Sequence, residues 1–553
     1  MIRNIRLKFG STPNKPKLEF DTTPVTIFVG PNNSGKSKIL QEIQQFCQNG
    51  QMNVNNALLE NIEFNGVGDP EKVISELTMP SNKGEFLQPG HIIYGKGGWR
   101  NQVNRQNLIN WLSNPNQKNN FCSYYTSFNT LRIDGGSRIN LINQQPAGDL
   151  QAHPSNHLAV LFRNDELRKD VRRIVFDAFK KYFVIDPTNL GQLRIRLSEI
   201  EPNTNLLERG IHQEAIDFHN QALDISIASD GVKAFTGIII SIAAGDPKIT
   251  LIDEPEAFLH PSLSYKLGKE VSNKVKDSQK SLIVSTHSSN FLMGCIQSGT
   301  PINVIRLTYS NNIATARALP SEKVLKLMRH PLLRSTGVLN GLFYEFVIVT
   351  ESDADRAFYQ EINERLLQFE PDKGIPNCLF INAQNKQTVH EIIRPLRELG
   401  IPCAGIVDVD IIKEGGAVWT SFLNGGFIPD LTIQSTATAR TRIKQFFDNS
   451  GIDFKRNGGI DVLQGQEKEA CTNLFDQLAE YGLFVVRGGE LECWLKNLGA
   501  TGHGPKWLIQ IFEKLGDDSS SSHYIKPDVN DVWNFISDIK KWLINGNKKG
   551  IPE

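Results

Sequence analysis

The stretch Val25–Leu40, VTIFVGPNNSGKSKIL, decides how the rest of the chain is read. It opens with β-branched and aromatic residues suited to a buried strand, passes through a glycine-bounded loop and ends on a helix start. Within it, Gly30, Pro31, Asn32, Asn33, Ser34, Gly35, Lys36 and Ser37 fit G-x-x-x-x-G-K-[ST] at every defined position. Each residue type has a chemical reason. The glycines let the backbone curl so that successive N–H groups face phosphate oxygens at a helix N-terminus. Lys36 brings a cation to the β- and γ-phosphates, and Ser37 offers a hydroxyl to Mg²⁺. A nucleotide site carrying Mg²⁺ is the expectation.

Two later segments, KITLIDEPEAFLHP (248–261) and KSLIVSTHSSNFL (280–292), read as buried strands ending in polar residues. Asp253 is placed to hold Mg²⁺, Glu254 to orient or deprotonate an attacking water, and His287 to reach the γ-phosphate. Ser229-Asp230-Gly231 opens a strongly apolar helix shortly before them. Buried strands alternating with helices predict a mainly parallel sheet with ligand groups at the strands' carboxyl ends. Residues 17–29 predict a hairpin strand feeding the phosphate loop, and 131–142 a strand rejoining the sheet, with Gly135-Gly136 as its turn. Arg132 and Arg138 read there as solvated strand residues, with a phosphate-facing role as the other reading. Residues 50–225 read as a helical and irregular insertion between the two halves of the nucleotide-binding fold.

With 553 residues the chain exceeds one core, so two or three domains are expected. Lys plus Arg total 60, as do Asp plus Glu, so no global basic field announces nucleic acid, although a local basic channel stays compatible with neutrality. Seven dispersed cysteines without a C-x-x-C pair oppose a disulfide framework or cysteine zinc site and suit a reducing cytosol. No signal-like N-terminus or membrane-length apolar run is present, so a cytoplasmic protein without membrane partners is expected.

A second α/β pattern starts near 341–345, after a basic helix around 322–330, and carries acids. Glu351 ends a buried strand, and Asp355 lies four residues on, a spacing that puts both on one helical face about 5–6 Å apart at Cβ. Asp408 and Asp410, two apart in GIVDVDII, share one side of a strand end. Oxygen-only clusters suit hard divalent ions, Mg²⁺ or Mn²⁺.

The order of phosphate loop, S-x-G, DEPEAFLHP and a strand ending in His resembles the ABC ATPase superfamily, in its RecF- and SMC-like branch. That resemblance implies ATP as ligand and a homodimer in which Ser229 and Gly231 cap ATP held by the other protomer's loop. The signature reads IASDGVK rather than LSGGE, which implies binding over fast hydrolysis, and Gln144 and Gln145 are the candidates for the family's Q-loop glutamine. The hhhhE…DxD pattern resembles the TOPRIM domain, with Ser352 where a glycine is usual. GGELECWL (488–495) resembles a further acidic element of OLD-type TOPRIM domains, making Glu492 a metal ligand beside Glu490, and the implied lysine is Lys506, with Lys496 behind it.

Together these domains resemble the OLD (overcoming lysogenization defect) family, which includes the Gabija nuclease subunit and retron-associated effectors. The implied fold class is α/β: an ABC-type ATPase head over 1–340 followed by a TOPRIM α/β domain over 341–553. The implied function is a metal-dependent DNA endonuclease of anti-phage defence, with Glu351, Asp355, Asp408, Asp410 and Glu492 holding metal and Lys506 stabilising phosphate charge. Implied partners are DNA, a second copy or a higher oligomer, and, in different relatives, a UvrD-like helicase or a reverse transcriptase with its RNA–DNA product. The other reading is a RecF-like DNA-binding or repair ATPase whose TOPRIM domain is structural or recruits partners.

Overall fold

The computed structural model describes residues 1–553 except 14, 83, 97–98, 150, 152–153, 311, 332, 334–336 and 553. Two compact units divide between Ser321 and Glu322, ahead of the 340/341 position read from sequence. The helix Ser321–Arg329 accounts for the difference. Lys323 pairs with Glu398 at 3.4 Å and His330 lies 4.0 Å from Glu391, so these side chains belong with the second unit.

In the first unit a six-stranded sheet runs in the order Ile313–Leu319, Ile302–Ser310, Val25–Val29, Ser281–Ser285, Ile249–Asp253, Thr130–Ile133. Only the Ile313–Leu319 edge pair is antiparallel. All five residues of Val25–Val29 are buried, as a strand covered on both faces must be. The register sets Phe28 beside Ser285 and Ser285 beside Asp253, so the phosphate loop, Asp253 and His287 emerge at one level.

Three local expectations are corrected. Residues 17–29 are not one strand: Glu19–Asp21 pairs with Ile2–Leu7 in a separate antiparallel sheet, and the chain enters the main sheet only at Val25. Thr22 N–H donates to Arg3 O at 2.8 Å, and Pro24 has no N–H to continue a ladder. Of residues 131–142, Thr130–Ile133 joins the main sheet, but Ser137–Asn140 is a helical turn. The insertion holds two antiparallel sheets beside its helices, including the hairpins His91–Lys96 with Trp99–Asn104 and Tyr182–Asn189 with Gln192–Ser198. Pro187 hides the last pairing in the sequence; a register shift between Asp186 and Asn189 accommodates it.

The helix Lys36–Asn49 carries a buried acid, Glu42, whose carboxylate accepts the backbone N–H groups of Ala57, Leu58 and Leu59 at 2.7, 3.0 and 2.8 Å. This pins the helix behind the phosphate loop to the start of strand Leu59–Phe64.

The second unit is a parallel sheet ordered Cys378–Asn382, Phe346–Thr350, Cys403–Asp408, Leu483–Val486. Helices Gly416–Gly425, Asp430–Ser450 and Gly465–Glu480 are inserted before its last strand. Buried Arg397 donates to the carbonyls of Cys403 (2.8 Å), Gly426 (3.0 Å) and Gly550 (3.1 Å), fastening strand, helix end and tail together. All seven cysteines are free thiols. No helix among the described residues is long and apolar enough to cross a membrane.

Glu42→Ala would leave three backbone N–H groups without their acceptor. It should lower the stability of the first unit by about 2–4 kcal/mol in chemical denaturation and speed amide exchange at Leu59. Unchanged stability would remove the carboxylate from the fold's support.

Candidate functional site

At the phosphate loop Gly30 has φ +144°, and a Cβ there would sit 2.0 Å from Leu307 O, so the position admits only glycine. Lys36 is buried and folded back on the loop: Nζ donates to Gly30 O (2.9 Å), Pro31 O (2.6 Å) and Ser34 Oγ (3.3 Å). Burial pulls its ammonium down to about 8 against the attraction of Glu254, Asp253 and Glu256. Ser37 Oγ donates to Asp253 Oδ1 at 3.0 Å, and Ser285 Oγ donates to the same oxygen. The Mg²⁺ hydroxyl and carboxylate expected from sequence therefore stand together. His287 Nε2 lies 3.5 Å from Glu254 Oε1; burial, then the charge of Lys36, lowers its imidazole to about 4, so it is neutral at pH 7.

Sequence reasoning missed two supports of this site. Glu256 accepts Thr286 Oγ1 at 2.8 Å and the His287 N–H at 2.7 Å, which fixes the loop bearing the imidazole, and burial raises its carboxyl. Arg138, expected to be solvated, is 1% exposed. Its guanidinium donates to Glu254 O (2.5 Å), Asp253 O (2.6 Å) and Asp134 O (3.2 Å). Glu254 needs such a hold, because its φ is +49°, a left-handed conformation costing a non-glycine residue about 1–3 kcal/mol. Arg132 donates to Gln44 Oε1 at 3.1 Å. Gln145 lies in a short strand paired with Leu193 of the insertion.

Ser229 is the exposed N-cap of helix Asp230–Gly245. Gly231 packs so closely under the following loop that a Cβ would meet Phe258 O at 2.6 Å.

In the second unit, Glu351, Asp408 and Asp410 bring ligand atoms within 4.8 Å of one another, and so do Glu490, Glu492 and His503. The parallel register causes the convergence, since Glu351 directly follows its strand and Asp408 closes the next. Asp410 sits in a 3₁₀ turn rather than on an extended end, yet reaches the same group. Asp355 is the N3 residue of a capping box, its carboxylate accepting Ser352 N–H (2.9 Å) and Oγ (2.8 Å). It therefore caps its helix while adding negative charge near Asp408. Burial and then Asp408 push Glu351 up to about 8, and burial and then Asp408 push Asp355 up to about 6.

Two lysines absent from the sequence reading enter this cluster. Lys455 Nζ lies 2.9 Å from Asp408 Oδ2, 3.3 Å from Asp410 Oδ2 and 3.7 Å from Glu490 Oε2. Lys386 Nζ donates to Asp410 Oδ2 at 2.7 Å. Lys506 and Lys496 are exposed, and among the described residues no ion pair joins either to the acids. The donors fit a divalent cation: Asp410 is 8% exposed and its Oδ1 has no hydrogen-bond partner, an oxygen that an ion would satisfy.

Two family models match stretches of the chain. Residues 25–293 match "AAA domain, putative AbiEii toxin, Type IV TA system", and residues 342–410 match "Overcoming lysogenization defect protein-like, TOPRIM domain". The chain joins an AAA-type ATPase domain to an OLD-like TOPRIM domain. Among solved structures, this ATPase–TOPRIM chain is similar to an SMC head bound to the C-winged helix domain of ScpA (16% identity, 59% of this chain and 99% of that one, TM-score 0.35). It is also similar to the SMC head domain from Thermotoga maritima (14%, 58% and 99%, TM-score 0.30). No curated protein matches the chain.

Arg138→Met should lower ATP turnover by at least about tenfold while leaving KM nearly unchanged, because misplacing Glu254 affects chemistry more than binding. Arg138→Lys should recover part of kcat; a parallel loss of nucleotide affinity would instead make Arg138 a general structural support.

Metal binding by the TOPRIM acids should strengthen with pH. Glu351, raised to about 8, is largely protonated at pH 7, and a cation must displace that proton. Calorimetric titration with Mg²⁺ in buffers of different ionisation enthalpy should show about one proton released at pH 7 and close to none at pH 9. Absence of proton release at pH 7 would contradict the protonated carboxyl.

Proposed function

We propose that this chain binds and hydrolyses ATP in a homodimer of its ATPase domains, and that the nucleotide state regulates metal-dependent cleavage of DNA by the TOPRIM domain in anti-phage defence. The observation that carries the nuclease reading is the buried, unpartnered Asp410 Oδ1 in the Glu351–Asp408–Asp410 group. A divalent cation held by these three acids would satisfy that oxygen. Glu351, Asp408 and Asp410 would hold Mg²⁺ or Mn²⁺, with Asp355 and Glu492 beside them. A bound divalent cation would neutralise charge developing on a phosphodiester during hydrolysis. Lys455 supplies fixed positive charge at the same place and keeps the acids together.

On the nucleotide side, Lys36 exchanges its carbonyl partners for phosphate oxygens, Ser37 and Asp253 hold Mg²⁺, and Glu254 orients water. Neutral His287 offers a hydrogen bond to the γ-phosphate. The dimer reading draws support from apolar residues around Ser229, with Ile227 73% and Phe258 56% exposed, a surface suited to cover by a second ATPase domain.

Supercoiled plasmid incubated with the protein and Mg²⁺ or Mn²⁺ should be nicked or linearised. Asp408→Ala should reduce cutting by at least ~100-fold with ATP binding intact. Lys36→Ala should abolish ATP turnover and alter the response of cleavage to ATP, leaving nucleotide-free cutting in place. Failure to cut under any metal and nucleotide condition would sink the nuclease reading. Loss of nucleotide-free cutting in a folded Lys36→Ala protein would sink the division of labour.

A further inference from the structure

We propose that His503 is a metal ligand, forming with Glu490 and Glu492 a nitrogen-containing cation position that favours Mn²⁺, or a similar transition-metal ion, over Mg²⁺. The inference rests on the reading that the TOPRIM acids bind divalent cations, and it concerns the second of the two donor groups.

His503 Nδ1 lies 2.8 Å from Glu492 Oε1 and 3.5 Å from Glu490 Oε1, and the three residues' ligand atoms fall within 4.8 Å of one another. The carboxylates come from the turn after strand Leu483–Val486, and the imidazole comes from the loop before helix Pro505–Leu515. Two separate loops therefore bring unlike donors to one point. Both sides are held. Glu490 is 6% exposed, and Glu492 Oε1 accepts the Gly504 N–H at 2.6 Å, which fixes that oxygen between amide and imidazole. Gly502 and Gly504 flank His503 at φ +100° and +57°, conformations that favour glycine, just before the helix.

The position adjoins the first group, because Lys455 touches Asp408 at 2.9 Å and approaches Glu490 at 3.7 Å. That neighbouring group holds the independent sign of a cation, the buried Asp410 oxygen without a partner. The His503 side chain is 61% exposed, so an ion has a route in from solvent.

The donor sets differ in kind. Glu351, Asp408 and Asp410 offer only oxygen, which suits Mg²⁺. An imidazole nitrogen is a poor exchange for water on Mg²⁺ and a good one on Mn²⁺, Co²⁺ or Zn²⁺. The chain thus carries one position indifferent to nitrogen ligands and one that selects for them.

The test uses the full-length protein without nucleotide and Mn²⁺ as the probe, at one and two equivalents. Electron spin echo envelope modulation should detect directly bound nitrogen-14 in the wild type and lose it in His503→Gln. Mn²⁺ affinity, read from the free-ion resonance signal, should fall at least about tenfold in the variant. Mg²⁺ affinity, read by calorimetry, should change less than about threefold. Thermal unfolding of His503→Gln should match the wild type, since the ring is largely exposed. Mn²⁺ bound without nitrogen coupling, or with coupling that survives in His503→Gln, would overturn the assignment and leave an all-oxygen metal centre standing. A protein that binds neither ion would overturn it together with the metal-dependent nuclease reading.

Discussion

Mutual repulsion among Glu351, Asp408 and Asp410, crowded at the carboxyl end of a parallel sheet, is the constraint around which the second unit is arranged. Burial makes this repulsion expensive, because low-dielectric surroundings screen like charges poorly. Two devices contain it. Glu351 and Asp355 are pushed toward their protonated forms, which removes charge. Lys455 and Lys386 add opposite charge, and for Asp410 they more than offset the upward push of burial, leaving its carboxyl lowered. The result is a site charged enough to attract a cation and neutral enough to fold.

The first unit solves the converse problem. Its phosphate loop sets the buried Lys36 ammonium near Glu254, Asp253 and Glu256 while tying it to loop carbonyls. Burial weakens its charge at rest, and the neutral imidazole of His287 avoids adding a second cation. In both units a lysine is parked on oxygen atoms beside the acids that would do the chemistry. Each is preorganised, since the groups need only exchange partners rather than travel.

Legibility from sequence followed the distance over which each feature is written. The phosphate loop is contiguous, and its residue types have few other uses, so its reading from Gly30 to Ser37 needed no tertiary information. Asp253, Glu351 and Asp408 were legible because each ends an apolar run, and parallel register carries such ends to one level. Arg138 was misread because its burial depends on carbonyls 115 and 116 residues away. Lys455 gave no signal at all: it lies 45 residues from Asp410, in a segment without a motif, and only the packing of the inserted helices delivers it. Lys506 is the lysine that resemblance implies, and His503, three residues earlier, stands 2.8 Å from Glu492, a contact that no motif announces. The insertion's hairpins were obscured because Pro187 and polar flanks broke the alternation that marks a strand.

The grip of Arg138 on Asp253 and Glu254 engages carbonyl oxygens, which every amino acid supplies. Shape at this corner is thereby divorced from reactivity. The two acidic side chains can drift, weaken or be replaced over time while the turn that carries them keeps its form. The path of the chain through this corner is thus set by backbone contacts that do not depend on which side chains stand at 253 and 254.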